Sequence, residues 1–179
     1  MINSKIIAAD PTMPDTKMFA REFASLPRAY NATGLPRSPA FAAAETRKKL
    51  SVRWRESVDC VVEHAQNAGA TVERTSVPSV LSINGSLLVR VNVEVCCNLK
   101  RGLQYWKLTT QPGIDFIIIE RINSAVLNTV DYLLVPVRHL LLGTIYLETP
   151  NLIHYSALRY SSVGAIFGDV TTGHIAAAC

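Results

Sequence analysis

The chain has 179 residues, 49% of them hydrophobic and 18% charged, with a formal net charge of +4. So apolar a chain is not intrinsically disordered, and its length accommodates one domain plus an extension rather than two full domains. The longest apolar stretch, Tyr132 to Gly143, is broken by Pro136, Arg138 and His139 and falls short of the roughly 20 residues that cross a membrane as a helix. Met1 to Asp15 lacks the apolar core of a secretory signal, so a cytoplasmic protein without membrane contact is expected.

Residues 1–44 hold five of the nine prolines, at positions 11, 14, 27, 36 and 39, and sustain no apolar period. They read as a partly disordered N-terminal arm, and residues 45–179 as a single α/β domain. A short helix around Thr16 to Ser25, with Met18, Phe19 and Phe23 on one side, gives the arm a face for a protein partner or for a second copy in a homodimer.

From Ala43 to Ala68 the apolar residues Leu50, Trp54, Val58, Val61 and Ala65 recur at steps of three and four, the stripe of an amphipathic helix. Gly69 supplies its left-handed stop. Arg47, Lys48, Lys49, Arg53 and Arg55 place five cations within nine residues of its N-terminal half, where the helix dipole does not favour them. They either meet phosphates or an acidic partner, or form a solvated helix face.

After the helix the period changes to two. Ala70 to Thr75, Val80 to Ile83 and Leu87 to Cys96 read as strands, the last two joined by Asn84-Gly85, a strong hairpin signal. On the long strand Leu87, Val89, Val91, Val93 and Val95 share one face, and Leu88, Arg90, Asn92, Glu94 and Cys96 the other. A basic loop with Lys100 and Arg101 leads into a strand over Gln104 to Thr110. Two more strands follow, Asp115 to Glu120 and Thr129 to Val135, and Pro136 ends the sheet. His139 to Tyr146 and Asn151 to Ile166 read as helices. The expected fold is α/β (α+β): a mixed central sheet of about five strands with a long first helix and C-terminal helices packed on it.

Few residue patterns carry chemistry. Cys60, Cys96, Cys97 and Cys179 form no CxxC pair and sit at no zinc-finger spacing, so reduced thiols are expected. His64, His139, His154 and His174 flank no nucleophile, and no phosphate loop, GxSxG or HExxH occurs. Glu94 either pairs with Arg90 across a strand face or contributes to a site. Asp115 either caps the turn after Gly113 or acts as a ligand, and Glu56 and Glu63 are helix carboxylates open to either reading. Tyr105 or Trp106, flanked by Lys100, Arg101 and Lys107, is the better aromatic candidate for a nucleic-acid contact.

The order of a helix, an Asn-Gly hairpin, "LQYWKL", "GIDFIIIERI" and "VDYLLVP", over about residues 53–140, resembles the restriction-endonuclease-like (PD-(D/E)XK) superfamily. The resemblance implies a DNA-associated protein in which a strand aspartate, an E-x-K pair and often a helix glutamate hold Mg2+. Carried over, the aspartate falls at Ser79 or Ser82, and the E-x-K at Leu88-Val89-Arg90 or at Glu94-Val95-Cys96, so neither placement is complete. The expected site thus has Glu94, Arg90 and Glu56 as catalytic candidates, and Glu94 and Asp115 as metal ligands only if the protein is active. Arg47, Lys48, Lys49, Arg53, Arg55, Lys100, Arg101 and Lys107 form its phosphate-facing surface. A catalytically degenerate DNA-binding protein leads, with two alternatives open beside it: an interaction or inhibitor module, and a Mg2+-dependent endonuclease.

Overall fold

The computed structural model describes residues 9, 11–12, 14–33, 39–98, 104–123, 127–137, 140 and 143–171. The chain separates into two compact units, Met1–Ser51 and Val52–Cys179, with the boundary inside a long helix. The first unit carries α1 (Thr16–Phe23), α2 (Leu26–Thr33) and the start of α3 (Pro39–Asn67). Asp15 caps α1 by accepting the Lys17 N–H (3.2 Å), and Ala24 ends it in the left-handed conformation. The Ser25 hydroxyl accepts the Arg28 N–H at the start of α2 (3.4 Å), and α2 buries Ala29.

The second unit holds the rest of α3, a six-stranded mixed sheet, a three-stranded sheet and a C-terminal helix, α4 (Val163–Thr171). The large sheet contains β1 (Val72–Arg74), β2 (Val80–Ile83), β3 (Leu87–Val95), β6 (Phe116–Ile122), β7 (Thr129–Pro136) and β9 (Leu158–Tyr160), in the spatial order β1-β2-β3-β6-β7-β9. All pairs are antiparallel except β3 with β6. The small sheet, β4 (Cys97–Asn98), β5 (Gln104–Thr110) and β8 (Gly143–Glu148), is antiparallel in the order β4-β5-β8.

Alternation along the strands divides the core in two. Toward one face of the large sheet, Leu81, Val89, Val91, Phe116, Ile118 and Leu134 pack against Val58, Val61 and Ala65 of α3 and against Val163, Ile166 and Phe167 of α4. Toward the other, Ile117, Ile119, Leu133 and Val135 pack against Trp106, Leu108 and Leu147 of the small sheet. β6 therefore lies between the two layers with all seven residues buried, which is why its sequence is apolar at consecutive positions.

The helix stripe, the hairpin and the strands through Pro136 stand where the sequence places them. Asn84 and Gly85, at φ 52° and 66°, form the hairpin turn, closed by the Ser86 N–H on the Ile83 carbonyl (3.3 Å). Two expectations are corrected. The segment expected to be a helix over His139 to Tyr146 carries strand β8 instead, whose Ile145 and Leu147 alternate inward onto Leu108 and Trp106 of β5. The helix expected over Asn151 to Ile166 divides into a 3-10 turn (Thr149–Tyr155), strand β9 and the beginning of α4. Left-handed Ser156 (φ 49°) ends the 3-10 turn, so one helix cannot run through.

Candidate functional site

The small sheet turns Trp106, Leu108 and Thr110 inward, so the opposite parity of β5 points outward. Trp106 is therefore a core residue, 3% exposed and stacked 4.2 Å from the Arg121 guanidinium, while Tyr105 and Lys107 lie on the outer face. β8 adds Tyr146, which is 52% exposed and stands directly opposite Lys107. The Tyr105 and Tyr146 rings meet edge to face at 5.5 Å. Desolvation, with lesser contributions from Cys97 and Tyr146, raises the Tyr105 phenol above its ordinary value, so it stays protonated at neutral pH. Cys97, across the ladder from Tyr105, is exposed on the same sheet. The outer face thus presents two aromatic rings and an ammonium near the start of β5.

A second polar region crosses the large sheet where β3, β6 and β7 lie level. On the small-sheet side, Glu94 of β3 is in register with Arg121 of β6, and Arg121 with Asp131 of β7. Arg121 donates to Asp131 through Nε and Nη2, both at 2.5 Å, and Arg159 of β9 donates to the same carboxylate diagonally. On the helix side Glu120, 1% exposed, accepts from Arg53 Nε (2.8 Å) and Nη2 (2.6 Å) and from the Thr129 hydroxyl (2.5 Å). These are charge-assisted, geometrically fixed pairs of the kind that tolerate burial only as a set. The sequence reading does not single out Glu120, Arg121 or Asp131. The signal is there: a Glu-Arg pair interrupts an apolar strand, and an Asp stands near the head of the next.

The expected metal ligands do not gather. Asp115 accepts the Leu88 N–H (2.8 Å), six residues along β3 from Glu94, or about 20 Å at the strand rise. Hard divalent ions need their oxygens within a few ångströms, so these two carboxylates cannot share one. Glu56 stands on α3, 61% exposed and 3.9 Å from Arg53, on the opposite side of the large sheet from Glu94. By alternation Ser79 faces the α3 side with the valines of β3, whereas Ser82 faces the other side, level with Leu88. Ser82 stands opposite Glu73 of β1, on an outer pair of strands and two strands away from β6. Glu94 accepts from the Asn92 amide (3.1 Å), and its relation to Arg90 is electrostatic, without a hydrogen bond; burial pushes its carboxyl up to about 7 against the lowering effects of Asn92, Arg90 and Lys107. Arg90 reaches the Thr109 carbonyl instead (3.5 Å).

The expected phosphate-facing surface is also divided. Arg53 is held by Glu120, and Arg55 is exposed on α3, whereas Lys107 lies on the small sheet beyond the other face of the large one. The large sheet therefore separates the α3 cations of this unit from Lys107. In the first unit Arg47 and Lys48 are exposed, with Arg47 Nε donating to the Ala43 carbonyl (3.4 Å), and Lys49 lies 3.7 Å from Glu45. Lys100 and Arg101 lie outside the described residues. Beside Arg55, the residues Trp54, Val58, Asp59, Arg74 and Pro78 line a shallow depression of about 250 Å³, where Arg74 pairs with Asp59 at 2.5 Å.

Among the described residues no group of three His, Cys, Asp or Glu side chains is placed to hold a metal ion, and no helix is long and apolar enough to cross a membrane. No protein-family model, curated protein or solved structure matches the chain.

Proposed function

We propose that the protein associates with nucleic acid through the outer face of its small sheet, on a nuclease-like scaffold that binds without cutting. The observation that carries this reading is the outward pair Tyr105 and Tyr146 with Lys107 in register with Tyr146. Outward-facing rings on a sheet, Tyr146 exposed and Tyr105 half-buried, offer stacking surfaces to bases, and a neighbouring cation attracts the phosphate that follows each base. In the sequence, Lys100 and Arg101 stand four and three residues before the first residue of β5. The separation of Glu94, Asp115 and Glu56 supports binding without metal-dependent cleavage.

The test is fluorescence anisotropy with labelled oligothymidylate and with duplex DNA, at low and physiological salt, with and without Mg2+. Base stacking contributes roughly 1–3 kcal/mol per ring, so Tyr146→Ala is expected to weaken oligothymidylate binding roughly five- to a hundredfold. Lys107→Gln lowers the salt slope by about one counterion. Equal affinity of the wild type and both variants refutes the surface.

A second reading, a protein-interaction module, is favoured by the pairing of cations with carboxylates: Arg53 with Glu120, Arg74 with Asp59, and Arg121 and Arg159 with Asp131. It predicts no DNA binding at low salt and a partner that survives nuclease treatment.

A further inference from the structure

On the outer face of the small sheet the register sets Tyr105 opposite Glu148, and Lys107 opposite Tyr146. Tyr105 and Tyr146 are therefore diagonal neighbours on adjacent strands, within reach of each other's rings. Their centroids lie 5.5 Å apart and their planes cross at 72°, edge to face. Bases in a regular helix lie parallel, about 3.4 Å apart along each strand. Two successive bases stacked on these two rings would instead lie at the angle of the rings themselves. The interior of a duplex cannot offer that arrangement, because each base face there is covered by the neighbouring pair. A single strand reaches it by breaking one base step and swinging the two bases apart.

The charges on this face are unevenly placed. Glu148, beside Tyr105, repels a phosphate, whereas Lys107, beside Tyr146, attracts one. Beyond Lys107 the exposed pair Thr109 and Thr144 continues the face with two hydroxyls and no acid. A nucleic-acid backbone is thus drawn along Lys107 and the two threonines, and away from Glu148.

We infer that this face takes single-stranded nucleic acid splayed at one step, with one base on Tyr105, the next on Tyr146 and the linking phosphate on Lys107. The inference rests on the nucleic-acid reading and adds its substrate class. Strands whose bases unstack readily are preferred, thymine tracts before adenine tracts, and both before a duplex.

The probes are labelled oligothymidylate and oligodeoxyadenylate of equal length and the stable duplex they form, each titrated with the full chain at low and physiological salt. Breaking one stacked step costs up to about a factor of ten. Oligothymidylate is therefore expected to bind roughly three- to tenfold more tightly than oligodeoxyadenylate, and roughly tenfold or more above the duplex. A single ring imposes no angle, and the larger adenine then stacks at least as well as thymine. Tyr105→Leu is accordingly expected to abolish the thymine preference while leaving weaker, salt-sensitive binding through Tyr146 and Lys107. Adenine bound as tightly as thymine by the wild type, a duplex bound as tightly as oligothymidylate, or a preference that survives Tyr105→Leu overturns the inference and spares the nucleic-acid reading. No salt-sensitive binding of any probe overturns both.

Discussion

Replacing Asp131 with alanine isolates the energetics of the buried charge row. Its carboxylate is 4% exposed and accepts both Arg121 bonds, and Arg121 itself is 2% exposed. Arg121 and Asp131 thus form a buried pair, and removing the acid leaves a guanidinium in the core without its hydrogen-bonded counter-charge, which costs about 3–5 kcal/mol. Arg159, 58% exposed, touches the same carboxylate from the solvent side, so Arg159→Ala is expected to cost no more than about 1 kcal/mol. With a urea slope near 2 kcal/mol/M, Asp131→Ala lowers the unfolding midpoint by roughly 2 M and Arg159→Ala by about 0.5 M or less. Tryptophan fluorescence follows both transitions, because Trp106 stacks on Arg121. Replacing the pair together, Arg121→Met with Asp131→Leu, is expected to return the midpoint to within about 0.5 M of wild type, since desolvation of both charges disappears with their attraction. Similar small shifts for Asp131→Ala and Arg159→Ala, or a double replacement as damaging as the single one, refute the account of the row.

Stability also carries a pH signature from Glu94. Burial raises its carboxyl from 4.5 to about 7, so between those values the folded state binds more protons than the unfolded one and stability falls as pH rises. Glu94→Gln is expected to flatten that slope, by at most a few kcal/mol between pH about 4.5 and about 7, in urea titrations across the range; an unchanged slope assigns it to another group. Trp54→Phe removes the donor to the Val91 carbonyl and is expected to cost about 1 kcal/mol in the same assay. Gly85→Ala introduces a Cβ at φ 66° and is expected to cost about 1–2 kcal/mol, with strand β2 losing exchange protection before β7.

Much of the fold was legible because local signals there agree with tertiary need. The stripe from Trp54 to Ala65 is buried on one side of α3, and Asn84-Gly85 adopts the two positive φ values that its chemistry permits at low cost. Alternation identified β5 as a strand but not its partner, because a period of two fixes which side chains share a face and says nothing of which strand lies alongside. The small sheet was invisible for that reason, and β8 was masked by the leucine run from Leu140 that suggested a helix. Tyr146, which completes the outward aromatic pair, was lost with it. At the site, sequence narrowed the aromatic candidates to Tyr105 or Trp106, and the structure turns Trp106 into the core and Tyr105 to the outer face. The carboxylates were legible as residues but not as a set, since Glu94 and Asp115 stand at opposite ends of β3 and Glu56 beyond the sheet.

The most direct measurement of the proposed nucleic-acid surface is photocrosslinking of an oligodeoxynucleotide carrying 5-iodouracil to the full chain, with the adducts located by mass spectrometry. Crosslinks at Tyr105 and Tyr146 are predicted, and they should fade with rising salt. Crosslinks confined to α3 residues such as Trp54, or no salt-sensitive adduct at all, contradict it.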